Sequence, residues 1–174
     1  MNKCCLVLLA ALLAFGADPL GAAPAPSRGL DKISAYAGTW KSETRNFKTP
    51  YSKAGKETAE INNDCWRSGD FYACHQVVNG KTGALVVYTY DAKHDLYHNY
   101  AIPPDGGKGG SGELIIKGNV WTFPWKYEHA GSTTYFRVVN VFTTPGSIEY
   151  RQEYSTDQRH WTVMSKGSEA RVRS

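Results

Sequence analysis

Past residue 22 the chain has no apolar run approaching the ~20 residues that cross a bilayer, so no membrane-spanning helix is expected. Methionine occurs only twice, against 11 tyrosines and 5 tryptophans, a balance that favours strands over helices. No segment sustains a 3.6-residue apolar period, which argues against a helical bundle. Charge of one sign is also in short supply. The formal net charge is +4, spread along the chain, which suits solubility and offers no footprint for nucleic acid. There are only four cysteines, with no Cys-x-x-Cys pair, so neither a redox pair nor a zinc site is read. No serine or cysteine stands in a nucleophile elbow with a histidine partner.

What is there begins with a leader. Met1-Asn2-Lys3 carries one positive charge, residues 4–15 are apolar without a charge, and small residues lead to Leu20-Gly21-Ala22. That order is the order of a secretory signal peptide (1–22), cut after Ala22; Pro24 disfavours a cut after Ala23. Cys4 and Cys5 precede the apolar run, so neither stands where a lipid-modified cysteine would. The expected product is soluble and periplasmic or secreted. Losing Lys3 and Asp18 with the leader leaves its net charge unchanged. Residues 23–29 read as a proline-rich lead-in and 30–174 as one domain, within the usual range of about 100–200 residues.

Export leaves Cys65 and Cys74 and permits a bridge between them. A two-residue type II′ turn at Gly69-Asp70, glycine first, pairs Ser68 with Phe71, Arg67 with Tyr72, Trp66 with Ala73 and Cys65 with Cys74. The cysteines then form a non-hydrogen-bonded pair with Cα atoms about 4.5 Å apart, at the short end of disulfide geometry. A Ser68-Gly69 turn would set Cys65 opposite Tyr72 instead. The cysteines therefore select the first register, the alternative being two free buried thiols.

Residues 30–36 read as one or two helical turns capped by Asp31. Strands are expected over 38–47, 56–67, 71–78, 84–90, 95–102, 112–117, 120–128, 133–143, 147–154 and 161–170, with turn residues such as Asn79-Gly80, Ala130-Gly131 and Pro145-Gly146 between them. Alternation assigns the faces. Trp121, Phe123, Trp125 and Tyr127 share one side. Phe136, Val138, Asn140 and Phe142 join it across one turn, and Ile148, Tyr150, Gln152 and Tyr154 across the next. Glu149, Arg151 and Glu153 point the other way. Tyr154 is expected to face Trp161 over the last turn, with Val163 following inward. A flat ten-stranded sheet would leave exposed edges, so the expected fold is all-β: an up-and-down antiparallel barrel with a short N-terminal helical segment.

Several motifs then fall into place. Gly38-Thr39-Trp40, just after the helical segment, resembles the Gly-x-Trp signature that opens lipocalin and calycin barrels. Tyr88-Thr89-Tyr90-Asp91 followed by Tyr97 is similar to the central hairpin of a bacterial calycin-like family of unknown function. Val120-Trp121-Thr122-Phe123, and Glu153-Tyr154-Ser155-Thr156-Asp157 with Trp161, resemble its closing strands. The matches run from about residue 30 to 171. The last turn departs from the pattern, with Asp157-Gln158 where many relatives have Asp-Gly, and the disulfide looks like a local addition. The resemblance implies a small lipocalin-like barrel with a central cavity, and no catalytic residues to carry over.

Chemistry is sparse. His94 and His98 have the metal spacing of a helix, but on a strand they lie about 13 Å apart, so no metal site is expected. His75, His129 and His160 are isolated. The glycine-rich run 103–112 lacks a Gly-Lys-Ser/Thr ending and opens onto a strand, which makes it a flexible loop bordering the barrel mouth. Carboxylates fall mostly on outward positions or in turns. No cofactor is read, and an enzyme is the least favoured class.

The aromatic face remains. Trp121, Phe123, Trp125, Phe136 and Tyr150 either fill the barrel or wall a cavity. Asn140 and Gln152, if inward, need each other, water or a ligand as partners, because an unpaired buried amide costs ~1–3 kcal/mol. These seven residues form the candidate site for a small apolar or amphipathic molecule. The competing expectation is an envelope interaction module with a filled barrel, working through loops 49–55 and 105–111.

Overall fold

In the computed structural model, which describes residues 28–172, ten strands close into one antiparallel barrel. They are β1 (Gly38–Asn46), β2 (Gly55–Ser68), β3 (Phe71–Val78), β4 (Lys81–Asp91), β5 (Leu96–Ile102), β6 (Gly110–Lys117), β7 (Val120–His129), β8 (Ser132–Thr144), β9 (Ser147–Ser155) and β10 (Thr162–Arg171). Each pairs with its sequence neighbours, and β1 closes the ring against β10. The largest difference from the expected bounds is in β4, which begins at Lys81. There the ladder passes Gly83 as a bulge, with Gln76 opposite Ala84 and Val77 opposite Thr82. The leader and residues 23–27 of the lead-in lie outside the described residues, the last two lead-in positions begin the N-terminal helix, and no helix among those described is long and apolar enough to cross a membrane.

The β2–β3 hairpin has the register that the cysteines selected. Cys65 pairs with Cys74, their Cα atoms 4.0 Å apart and the disulfide formed. Gly69 takes φ 57°, as the first central position of a type II′ turn requires.

Directly paired residues share a face, so the ladders carry the inward side around the barrel. Trp40 pairs with Ile61, Asn63 with Gln76, Tyr88 with Asn99, Tyr97 with Leu114, Trp121 with Asn140, and Asn140 with Tyr150. The expected meander face from Trp121 to Tyr154 is present as read. Its continuation into the last strand is not. Tyr154 pairs with Thr162, Val163 pairs with outward Glu153, and Trp161 stacks outside under the Arg137 guanidinium at 3.9 Å. The ladder skips Met164 as a bulge, which restores the inward phase for Ser165, Gly167, Glu169 and Arg171.

One end of the barrel is plugged by a 3₁₀ helix, Arg28–Tyr36. Side chains three apart eclipse in a 3₁₀ helix, so Leu30, Ile33 and Tyr36 line up on one face. Leu30 and Ile33 are fully buried among Tyr72, Tyr97, Leu114 and Trp121. Burial at that depth stabilises by roughly 1.5–3 kcal/mol for each. Asp31 lies inside the helix rather than capping it, and pairs with Arg67. Arg171 holds the helix exit from the closing strand: its guanidinium donates to the carbonyls of Ala37, Ala35 and Pro145 and covers the Trp40 ring at 4.4 Å. At the opposite end the β1–β2 loop brings Tyr51 onto Phe136 and Tyr154, ring centroids 5.1 and 4.9 Å away, with its hydroxyl 3.1 Å from that of Thr134.

Candidate functional site

Below the helical plug lies a cavity of about 180 Å³. Six strands and the helix contribute to it: Tyr36 from the helix, Ile61 and Asn63 from β2, Cys74 and Gln76 from β3, Val86 and Tyr88 from β4, Phe123 from β7, Asn140 from β8 and Glu169 from β10. Every strand residue in that set belongs to the inward register. Its apolar part is Ile61, Val86, the disulfide sulfur of Cys74 and three aromatic residues, and its polar part is mostly amide and carboxyl.

The amides are tied into the plug. The Asn140 amide nitrogen donates to the Tyr36 hydroxyl at 2.6 Å. The Asn63 amide nitrogen donates to the Tyr36 carbonyl at 3.1 Å, and its side-chain oxygen accepts from Gln76 at 3.3 Å. Tyr36 is further fixed by its ring, 4.9 Å from Trp121 edge-to-face and 5.5 Å from Phe142.

Two groups stand apart. Tyr88 is 7% exposed, and its hydroxyl makes no hydrogen bond with any described residue. Glu169, inward between Ser42 of β1 and Ile148 of β9, has neither an ion pair nor a hydrogen bond among the described residues. Desolvation pushes its carboxyl above the usual carboxylate range. The phenols respond likewise. Burial raises Tyr88, and burial, then repulsion from Tyr88, raises Tyr36 against the opposing Asn140 hydrogen bond, with Glu169 adding to the rise.

The seven residues expected to form the site do not gather in one place. Phe123 and Asn140 border the cavity. Trp121 lies behind Tyr36 as buried core. Tyr150 lies across Gly167, where an added Cβ would meet its ring at 2.8 Å, and its hydroxyl bonds Thr44 and, at 3.3 Å, Ser42. Phe136 and Trp125 stack at 5.4 Å toward the other end. Trp125 is 40% exposed although its register is inward, because the β6–β7 ladder covers only Ile115–Lys117 against Val120–Thr122 and β7 then runs clear of β6. Gln152, half-buried between Val138 and Ser165, makes no side-chain hydrogen bond with any described residue.

Sequence reasoning missed Glu169, Tyr88, Tyr36, Asn63 and Gln76. Strand β10 alternates polar with polar, so only an odd-position carboxylate in phase with Ser165 and Gly167 hinted at an inward charge.

A larger hollow of about 580 Å³ lies against the outer wall around Gly167, lined mainly by outward residues including Glu43, Arg45, Lys56, Glu149, Arg151 and Lys166. Acids and bases alternate there on the outward face, whereas the smaller cavity lies inside the barrel and holds a single charge, so we take the interior cavity as the candidate site.

No family model and no curated protein matches this chain. Among solved structures it is similar to Rv2717c from M. tuberculosis, with 12% identity, a TM-score of 0.49, and coverage of 86% of this chain and 100% of that one. It is also similar to the S-type phycobiliprotein lyase CPES from Guillardia theta, with 11% identity, a TM-score of 0.48, and coverage of 83% and 93%. Similarity at this level speaks to neither activity nor ligand. The closed ten-stranded barrel itself fits a calycin-like fold.

Proposed function

We propose that this chain is an exported protein that holds one small amphipathic molecule inside its barrel, below the helical plug. The observation that carries the reading is the cavity: about 180 Å³, bordered by the Tyr88 phenol and the half-buried Glu169 carboxyl, neither of which bonds a described residue. Polar groups that open onto an interior space and are not used by the fold are free to bond an occupant. The volume falls below the ~300–1,000 Å³ typical of pockets for drug-sized ligands, so the occupant is a small metabolite and not a long acyl chain. Export is proposed on the leader sequence.

The test is a screen of small molecules, charged and neutral, by NMR against the purified protein, reading the side chains of Tyr36, Tyr88 and Asn140. Val86→Phe, which fills the cavity from β4, serves as the control. Saturable shifts in the wild type that vanish in V86F are expected. Shifts that persist in V86F place the binding elsewhere and defeat the reading.

A second reading, an interaction module, is favoured by the outer wall. Trp66, Ala73, Val87 and Tyr100 pair in a row across β2 to β5, with Phe71 and Ile102 beside it, and four of the six are large and exposed. Sedimentation over a concentration series, with Trp66→Ser and Tyr100→Ser together as the comparison, measures whether that wall associates.

A further inference from the structure

We propose that the cavity's ligand is a small primary amine, bound as its ammonium with Glu169 as the counter-ion; this rests on the cavity being a binding site at all. The charge of the lining is one-sided. No lysine, arginine or histidine lines the cavity. Asn140 and Gln76 each spend one amide N–H, on Tyr36 and Asn63, and keep an amide oxygen as acceptor. Glu169 adds two more acceptor oxygens and has no partner among the described residues. Against these stand the hydroxyl hydrogens of Tyr36 and Tyr88 and the second N–H of the Asn140, Asn63 and Gln76 amides, none of which carries a charge.

An ammonium supplies three donors and a positive charge, the complement of that set. Three aromatic residues, Tyr36, Tyr88 and Phe123, line the same space, a setting in which a cation can lie over a ring. A carboxylate or phosphate would meet Glu169 with no cation to offset it. Size sets the rest. At about 180 Å³ the cavity falls below the ~300–1,000 Å³ of drug-sized sites, which suits a short, branched molecule.

The experiment uses three probes on one branched skeleton: isopentylamine, isopentanol and isovalerate, titrated at neutral pH into the wild type and Glu169→Gln. The amine should bind about tenfold or more tighter than the alcohol, as a charge-assisted contact requires, with isovalerate weakest. In E169Q the amine should lose about tenfold while the alcohol changes far less. Three results overturn the amine assignment while the alcohol still marks the cavity as a site: isovalerate binding as well as the amine, E169Q leaving the amine unaffected, or an equal loss for the alcohol. If none of the three probes shifts Tyr36, Tyr88 or Asn140, the cavity reading falls with it. The wild-type ranking of amine, alcohol and carboxylate decides the question even if E169Q folds poorly.

Discussion

Tyr36 joins the plug to the cavity, and two substitutions there separate its ring from its hydroxyl. The ring meets Trp121 at 4.9 Å, Phe142 at 5.5 Å and Phe123 at 6.4 Å. Tyr36→Ala removes that packing and leaves a hole the strands cannot close, because their spacing is fixed by the barrel ladders. Large aromatic-to-alanine changes in such places cost about 3–5 kcal/mol. For a domain of this size that lowers the melting temperature by about 6–20 °C. Tyr36→Phe keeps the ring and removes only the acceptor of the Asn140 bond, 2.6 Å long. The stranded amide faces the cavity, where water can reach it, so the cost is about 1 kcal/mol or 2–4 °C. Urea titration followed by tryptophan fluorescence measures both, read as midpoint shifts at constant slope. The two variants should therefore differ severalfold. If Tyr36→Ala costs no more than Tyr36→Phe, the ring is not a plug, and the cavity cannot be bounded by it as described.

Three further outcomes follow from the same geometry. Replacing Cys65 and Cys74 together by alanine reopens a loop of separation 9, and the chain-entropy estimate puts the loss near 2.6 kcal/mol, checked by urea midpoints with and without reductant. Glu169→Gln should change how stability varies with pH. Tyr36 from the helix and Tyr88 from β4 are the titratable groups lining the cavity beside Glu169, and Ser42 and Ile148 flank it on β1 and β9. The folded carboxyl binds its proton more tightly than the unfolded one, whose pKa is about 4.3. The native state therefore carries the extra proton inside that window. Wild-type stability should fall as pH rises from there through the raised folded value and level off above it, whereas E169Q lacks that component. A wild type that gains stability relative to E169Q across the window contradicts the sign. Arg171→Met should cost about 2–4 kcal/mol through the lost carbonyl bonds and the lost contact over Trp40. Hydrogen exchange should quicken first in the helix Arg28–Tyr36.

Much of this architecture was legible residue by residue. The hairpin register followed from Cys65 and Cys74 because only one two-residue turn sets them opposite each other. The inward face from Trp121 to Tyr154 followed from alternation because β7 to β9 are joined by short turns that preserve phase. Phase was lost at the last turn: Tyr154 meets Thr162 instead of Trp161, so Trp161 and Val163 lie outside until the bulge at Met164 restores the register. Trp125 shows a different limit. Its parity is inward, but its exposure depends on how far β6 accompanies β7, and that is a property of two strands rather than one.

By itself, then, the order of residues determined the strand count, the hairpin bridge and which side of the meander is apolar, since period-two alternation and turn chemistry are local. The tertiary structure alone decided where the cavity lies and that its one charged lining residue is Glu169. Leu30, Ile33 and Tyr36 fill one end only because a 3₁₀ helix folds back into the barrel. Glu169 meets Tyr88 and Asn140 only because β10 closes the ring, an encounter set by closure and invisible to any pattern along the chain.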